Sequence, residues 1–160
     1  MTRSASAIPV LRDSNGPGGK PVLISQSTAI LLYCAEKSGR HLPQDPAARP
    51  AMLEALMRAS TDLTPMFGAV TLASRMKESY PATVAEFKSR MQGQFKTWDG
   101  ILAAQRYAAG AELTTADLSL YAGYRRTKGA LPELVAGNPN LERWAGEMAA
   151  RPAIQRALKL

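Results

Sequence analysis

Leu113-Thr114-Thr115-Ala116-Asp117-Leu118 is a complete helix-start signal, and it decides how the second half of the sequence folds. Thr114 carries the hydroxyl of an N-cap, and Asp117 carries the carboxylate that completes a capping box three residues later. Leu113 and Leu118 occupy the two positions of a hydrophobic staple. An apolar run begins at Leu118, so the sequence predicts a helix over 118–124 that starts from this signal.

The residues from Ala47 onward have the apolar spacing of helices at almost every point. Apolar residues recur at steps of three and four over Ala82–Ala104, which predicts a long amphipathic helix. An earlier long helix contains Pro65, which removes an internal hydrogen bond, so we expect a kink or break near 62–64. Three shorter elements are predicted after Gly129: a turn over 131–135, a helix around Leu141, Trp144 and Met148, and a terminal helix over 153–159.

The first part of the sequence has a different pattern. Two short apolar runs, Ile8–Leu11 and Val22–Ile24, flank a segment rich in Asp, Ser, Asn, Gly and Pro. This arrangement predicts two antiparallel strands around a loose turn. Ser27 stands where it can cap a helix over 28–37, and Gly39 suits the left-handed position after the end of that helix.

The composition indicates a folded protein without a membrane span. Of the 160 residues, 46% are apolar, which is enough for one compact domain or for a domain with a fragment of another. The longest unbroken apolar stretch, Ala29–Ala35, is far shorter than the roughly 20 residues that a membrane-spanning helix needs. The segment Met1–Ala7 is not followed by the apolar region that a secretory signal peptide contains. We therefore expect a cytoplasmic location and no membrane partner.

The net charge of +7 raises the question of an anionic partner. From Arg125 to Lys159 there are seven Lys or Arg residues against three Glu, and Tyr121 and Tyr124 lie just before this segment. One interpretation is a surface that stacks bases and binds phosphates. No nucleic-acid module accompanies the cluster, and basic residues near helix ends offset the helix dipole. We therefore favour a solvated basic face and do not expect a nucleic-acid partner.

The small number of cysteine and histidine residues limits the kinds of catalytic or metal site that the sequence can form. Cys34 is the only cysteine, so an internal disulfide is excluded, and its spacing from Ile30 places it on the predicted buried stripe of a helix. His41 is the only histidine and has no metal-ligand residues beside it, so neither a metal site nor a histidine triad is predicted. The glycines before Lys20 resemble a phosphate loop, but Pro21 follows where Ser or Thr is needed, which favours a turn.

Two features near the N-terminus point to a binding site. Pro9 interrupts a strand-like run, and this position suggests a cis peptide that would turn the backbone of Ile8 outward to pair with a bound peptide. Gln26 and Ser27 precede a helix, whose start presents unpaired N–H groups to a carboxylate. Taken alone, Ser27 is better explained as a simple helix cap. The combination of a strand-edge proline with a polar pair at a helix start is the more specific signal.

A succession of motifs resembles the glutathione S-transferase family along the whole sequence. The motifs are Ile8-Pro9-Val10-Leu11, Gln26-Ser27-Thr28-Ala29-Ile30-Leu31, Leu42-Pro43, Thr114-Thr115-Ala116-Asp117, Asn138-Pro139-Asn140-Leu141-Glu142-Arg143-Trp144 and Ala150-Arg151-Pro152-Ala153. The long-loop hairpin and the helix after it look most like the bacterial nu-type and beta-type members and their disulfide-reductase relatives.

This resemblance implies a mainly α fold, in which an all-helical C-terminal bundle follows a truncated thioredoxin-like β-hairpin plus helix. The implied parts are a partial thioredoxin-like glutathione-binding domain over 1–40, a linker over 41–46 and the helical domain over 47–160. It also implies glutathione as a co-substrate, a small hydrophobic electrophile as the second substrate, no metal, and a homodimer.

The same resemblance implies roles for individual residues. Pro9 would be the cis-proline, and the backbone of Ile8 would pair with the cysteinyl part of glutathione. Gln26 and Ser27 would bind the γ-glutamyl end. The remaining implied residues are the structural capping box of Thr114 and Asp117 and a hydrophobic substrate pocket near Met66, Phe67 and Val70.

The catalytic residue stays unknown at this point. Family members begin with a strand, a helix and a second strand, and a Tyr, Ser or Cys near the end of the first strand stabilises or replaces the glutathione thiolate. Residue 1 falls just before what resembles the third strand, and Ser4 and Ser6 would lie in the wrong element. Two hypotheses follow. The protein conjugates glutathione to small hydrophobic electrophiles, if the first elements are supplied or dispensable, or it is a non-catalytic glutathione-transferase-like binding or scaffold module.

Overall fold

The computed structural model describes residues 8–78 and 80–159. The segment Met1–Ala7, with Ser4 and Ser6, lies outside the described residues, as do Ser79 and Leu160. The chain forms two compact units, one ending at Leu42 and the other beginning at Pro43. Each unit has its own secondary structure.

The first unit contains a β-hairpin. Strand β1 (Val10–Asp13) pairs antiparallel with strand β2 (Val22–Ser25), and the register runs from Val10 opposite Ser25 to Asp13 opposite Val22. The prediction of two antiparallel strands is confirmed. The first strand begins after Pro9 rather than at Ile8, which agrees with the lack of a ladder donor on proline.

Helix α1 (Ser27–Ser38) follows the hairpin directly. It ends at Gly39, whose φ of 64° is left-handed, as the sequence predicts. A polar cluster joins the hairpin loop to this helix: Tyr33 Oη donates to Asp13 Oδ2 at 2.5 Å, and Lys37 Nζ forms an ion pair with the same carboxylate. Lys37 Nζ also donates to the carbonyl of Asn15 at 2.6 Å.

The prediction that Cys34 lies in the core is wrong, because its side chain is exposed. Ala35 is the one residue of α1 that is fully buried, and Ile30, Leu31 and Tyr33 are half-buried. Within its unit α1 packs on two four-residue strands, which are too short to cover a whole helical stripe. The periodicity identified the helix correctly but overestimated how much of it is covered.

The second unit begins with a helical segment that changes its hydrogen-bonding pattern three times. Asp45 Oδ1 accepts from Ala47 N at 2.8 Å and caps a 3₁₀ turn over Pro46–Ala48. Helix α2 (Arg49–Met57) continues as a π-helical segment (Arg58–Leu63) into helix α3 (Thr64–Ala73).

Pro65 accounts for the position of the π-helical segment. Since Pro65 lacks an N–H, the regular ladder cannot continue through the preceding turn. The hydroxyl of Thr64 donates to the carbonyl of Ala59 at 3.1 Å, across one residue more than an α-helical turn. The predicted disturbance near 62–64 is therefore a widened turn rather than a break.

Four further helices complete the unit. They are α4 (Pro81–Ala104), α5 (Thr115–Ala130), α6 (Pro139–Ala149) and α7 (Pro152–Ala157), with a 3₁₀ turn at Pro132–Leu134. The predicted helices are confirmed, and α5 continues past Tyr124 to Ala130. Among the described helices, including the 24-residue α4, none combines the length and apolar character that a bilayer crossing requires.

The core of the second unit is built from α2 to α6. The largest fully buried side chains are Met52, Leu56, Leu63, Met91, Phe95, Trp98, Leu102, Leu120, Leu134, Leu141, Trp144 and Met148. Edge-to-face ring contacts join three helices: Tyr124 of α5 lies 6.4 Å from Phe95 of α4 and 6.3 Å from Trp144 of α6. The fold is mainly α, with a β-hairpin and one helix before a helical bundle, as predicted.

Candidate functional site

The hairpin brings the predicted binding residues to one end. Val10 pairs with Ser25 in the ladder, so the residues just before Val10 and those just after Ser25 leave the sheet at the same end. Ile8 and Pro9 lie on one side of this end, and Gln26 and Ser27 lie on the other. The peptide bond between Ile8 and Pro9 is cis, as the sequence predicts, and the Ile8 side chain is 96% exposed.

Gln26 has an unusual backbone conformation. Its φ of 78° and ψ of 116° place a non-glycine residue outside the common regions. Such conformations cost on the order of 1–3 kcal/mol and are concentrated at functional sites. The carbonyl of Gln26 accepts from Ile30 N at 3.0 Å, which closes the first turn of α1. The strained residue therefore sets the direction in which α1 begins.

Ser27 does not cap α1. The N-cap position belongs to Gln26, which makes no side-chain cap bond, and Ser27 is the first helical residue. The simple-cap explanation of Ser27 is wrong for this reason. Its side chain is exposed and makes no hydrogen bond within the described part of the chain. An uncapped helix start offers backbone N–H groups and partial positive charge to a carboxylate, and a serine hydroxyl adds one more donor.

Asp117 forms the structural centre of the second unit. Its Oδ2 accepts from Thr114 N at 2.9 Å, and Thr114 Oγ1 accepts from Ala116 N at 3.3 Å, so the capping box at the start of α5 is complete. Its Oδ1 accepts from Ala108 N at 2.7 Å and from Trp144 Nε1 at 2.9 Å. Burial raises the pKa of the Asp117 carboxyl, although the hydrogen bonds from Ala108, Thr114 and Trp144 oppose this shift.

The sequence indicated the capping box but not the other partners of Asp117. Ala108 and Trp144 lie 9 and 27 residues away from it. Nothing local in the sequence marks a backbone N–H or an indole as the donor to a distant carboxylate. The one available signal was that a buried tryptophan N–H needs an acceptor.

The proposed hydrophobic pocket residues occupy different environments in α3. Phe67 and Val70 are buried in the helical bundle, at 6% and 1% exposure, whereas Met66 is half-buried. The guanidinium of Arg126 lies 4.3 Å from the centre of the Phe67 ring and covers it from α5. Met66 is therefore the member of the set that a ligand reaches most easily.

The described part of the chain contains no obvious metal-binding site. Within residues 8–78 and 80–159 there is no group of three or more His, Cys, Asp or Glu side chains positioned to hold a metal ion.

A hairpin that leads straight into a helix with a strained start, together with a helical bundle organised by a buried capping box, defines a protein of the glutathione-transferase fold class. The family profile described as "Glutathione S-transferase, C-terminal domain" matches residues 62–159. The chain belongs to the glutathione S-transferase family.

Similar proteins come from several bacteria. The chain is 32% identical over 161 residues to the Escherichia coli protein "Disulfide-bond oxidoreductase YghU", an alignment that covers 94% of this chain and 54% of that relative. The chain therefore spans about half the length of this curated relative.

Solved structures that are similar to this chain also belong to glutathione transferases. A glutathione transferase family member from Pseudomonas fluorescens, with two glutathione bound, superimposes with a TM-score of 0.88 at 30% identity, covering 95% of this chain and 70% of that one. A glutathione transferase from Pseudomonas putida, with one glutathione disulfide bound per subunit, has a TM-score of 0.88 at 31% identity, covering 96% and 70%.

Proposed function

We propose that this protein binds glutathione at the end of the hairpin where Ile8, Pro9, Gln26 and Ser27 meet. The backbone of Ile8 pairs with the cysteinyl part of the tripeptide, beside Pro9. The hydroxyl of Ser27 and the open start of α1 bind the carboxylate of the γ-glutamyl end, and Gln26 contributes its side-chain amide. The observation that carries the proposal is the strained backbone of Gln26 next to an uncapped helix start.

Three further arguments support this site. Strand β1 has one edge that no described strand pairs, and an extended peptide can add to such an edge through main-chain hydrogen bonds. The Pseudomonas relatives, which cover nearly the whole chain, hold glutathione or its disulfide. A tripeptide with two carboxylates also suits a chain with a net charge of +7.

The reaction we propose is conjugation. The glutathione sulfur, as a thiolate, attacks a small hydrophobic electrophile, a thioether bond forms, and the leaving group departs with its electron pair. The electrophile lies against the first bundle helices, near Met66, Phe67 and Val70. Attack requires the thiolate, whose formation needs a nearby donor. We assign the role of this thiolate-stabilising donor to none of the described residues.

A second candidate reaction is the reduction of disulfides by glutathione. The specific observation in its favour is the similarity to an E. coli protein named as a disulfide-bond oxidoreductase. In this reaction a glutathione thiolate attacks the substrate disulfide and releases one substrate thiolate. A second glutathione then attacks the mixed disulfide, which yields glutathione disulfide and the second substrate thiolate. Both reactions use the same glutathione site.

Titration calorimetry with glutathione tests the site. We expect saturable binding that Ser27→Ala weakens about tenfold, since a hydrogen bond to a charged group is worth about 1.5–3 kcal/mol. Ser14→Ala is the matched control, because Ser14 is an exposed serine at the other end of the hairpin. Equal affinities of the two variants, or no binding by the wild type, would overturn the proposal.

Product analysis then separates the functions. Thioether formation with a chlorodinitrobenzene supports conjugation, and glutathione disulfide formation with a small disulfide supports reduction. Glutathione binding without either product supports the non-catalytic binding or scaffold module. We further propose a cytoplasmic homodimer with a glutathione-binding domain over 1–40, a linker over 41–46 and the helical domain over 47–160.

A further inference from the structure

A groove between α5 and α6 in the helical unit has a volume of about 610 Å³. Its α6 side is lined by small residues, Ala145, Gly146 and Ala149. A Cβ added at Gly146 would meet no atom within 4 Å, so packing does not require a glycine there. A glycine inside a helix costs roughly 1 kcal/mol relative to alanine. The groove thus stays open at a position where a side chain would fit.

The α5 side of the same groove is strongly basic. Arg125, Arg126 and Lys128 line it, and Glu142 is the one acidic residue among the lining side chains. Neither arginine forms an ion pair or hydrogen bond with any described residue. The other cations of this unit include several that are paired, such as Lys88 with Glu133 at 2.9 Å. Three cations and one carboxylate therefore line the groove, which leaves an excess of positive charge there.

Two of the three cations, Arg126 and Lys128, have contacts that leave most of their donors unused. The guanidinium carbon of Arg126 lies 4.3 Å from the centre of the Phe67 ring, a cation–π contact that uses none of the N–H groups of Arg126. Lys128 Nζ donates one proton to Tyr124 Oη at 3.0 Å and keeps two others. Planar guanidinium groups bind phosphate and carboxylate oxygens in pairs. The groove thus offers several unused donors to anionic oxygens.

The tyrosines at the groove do not offer stacking surfaces. Tyr121 and Tyr124 are only 7% and 3% exposed, and both rings pack edge-to-face on Trp144. Base stacking, which the sequence left open for this segment, needs an exposed ring face. The recognition chemistry of the groove is therefore that of charge and hydrogen bonds, and a cavity of this size suits a small molecule.

We propose that the groove between α5 and α6 binds a small polyanion, a molecule that carries at least two phosphate or carboxylate groups. Arg125 and Arg126 bind the anionic oxygens, Lys128 adds a point charge, and the small residues of α6 leave room for the body of the ligand. All lining residues of the groove belong to the helical unit, so this proposal does not depend on the glutathione site proposed on the first unit.

Titration calorimetry of the full chain with inorganic tripolyphosphate, and in parallel with citrate, tests the proposal. We expect saturable binding of at least one probe, and the stronger of the two shows whether phosphate or carboxylate is preferred. Arg125→Gln should weaken binding about tenfold, because a charge-assisted contact is lost. Gly146→Leu should weaken it by at least as much by filling the groove, with a melting temperature equal to or above that of the wild type.

Two control variants make the test specific. Arg75→Gln removes the same charge from the turn that follows α3, and Gly93→Leu adds the same side chain to an open position on α4. Both should bind within about twofold of the wild type, since they leave the groove intact. The proposal would be overturned if neither tripolyphosphate nor citrate bound. An equal loss for Arg75→Gln and Arg125→Gln would also overturn it, because the attraction would then be diffuse.

Discussion

Asp117 and Trp144 are joined by a buried hydrogen bond of 2.9 Å between Oδ1 and Nε1. Asp117 also closes the capping box with Thr114 and accepts from Ala108 N. One carboxylate therefore fixes the start of α5, the connection before it and the middle of α6. Such a network is stable only when each of its members has a partner.

Asp117→Ala should destabilise the protein by at least about 3 kcal/mol, since it leaves three buried N–H donors without an acceptor at about 1–3 kcal/mol each. Urea unfolding followed by circular dichroism measures the change. Asp62→Ala is a suitable control, because Asp62 is exposed on the neighbouring π-helical segment. A loss for Asp117→Ala of less than about 1 kcal/mol would show that other groups hold these elements together.

The pH dependence of stability should carry a distinct contribution from Asp117. Burial raises the pKa of its carboxyl in the folded state above the ordinary value of 3.8. Between these two values the folded state binds more protons than the unfolded state, so the contribution of Asp117 to stability decreases as the pH rises through the raised pKa.

The comparison with Asp117→Asn isolates that contribution, because asparagine does not titrate. The difference in unfolding free energy between the wild type and this variant should shift in favour of the wild type as the pH falls from 7 towards 4, in urea titrations across that range. A difference that is constant with pH, or that shifts the other way, would contradict the raised pKa.

The sequence predicted those parts of the fold that depend on neighbouring residues. Thr114 and Asp117 are three positions apart, and Gly39 directly follows its helix, so each signal acts within one turn. The hydrogen bond from Asn140 N, at the start of α6, to the carboxylate of Asp99 could not be predicted. Asp99 lies 41 residues before Asn140, and only packing brings them together. Cys34 and Ser27 were misjudged for a related reason: periodicity locates a helix but does not show what covers it or which residue takes the N-cap position.

Asp99 gives a prediction of its own. Its Oδ1 accepts from Asn140 N at 2.7 Å and from Leu141 N at 2.9 Å, so a carboxylate on α4 caps the start of α6. The N-cap residue of α6, Asn138, makes no side-chain cap bond itself. Asp99→Ala should therefore cost about 1–2 kcal/mol, the usual value of a lost cap. Hydrogen exchange should show faster exchange of the first-turn amides of α6, whereas those of α5 should keep their rates.

Asp13 should have an unusually acidic side chain. The hydrogen bonds from Lys37 and Tyr33 are the main causes that hold its pKa at about 2, below the ordinary value of 3.8. Its contribution to stability is present above 3.8 and is lost as the pH falls towards 2. In Lys37→Gln the pKa of Asp13 should rise towards the ordinary value, as measured by carboxyl carbon NMR. Lys20→Gln, in the loop between β1 and β2, should leave the pKa of Asp13 unchanged.

Gln26→Gly tests whether the strained backbone serves the proposed glutathione site. Glycine adopts a positive φ without steric cost, so the variant should gain about 1 kcal/mol from relief of strain, offset in part by the greater entropy of the unfolded chain. The same change removes the side-chain amide that we place against the γ-glutamyl end. We therefore expect a melting temperature equal to or above that of the wild type together with weaker glutathione binding.

Calorimetry and thermal unfolding of Gln26→Gly should be read together. Gly39→Ala is the matched control on the same helix, because it introduces a Cβ at a φ of 64°. This variant should lose about 1 kcal/mol of stability without a specific loss of glutathione affinity. If Gln26→Gly binds glutathione as tightly as the wild type, the strain at this position has no role in binding, and the site must be sought elsewhere on the chain.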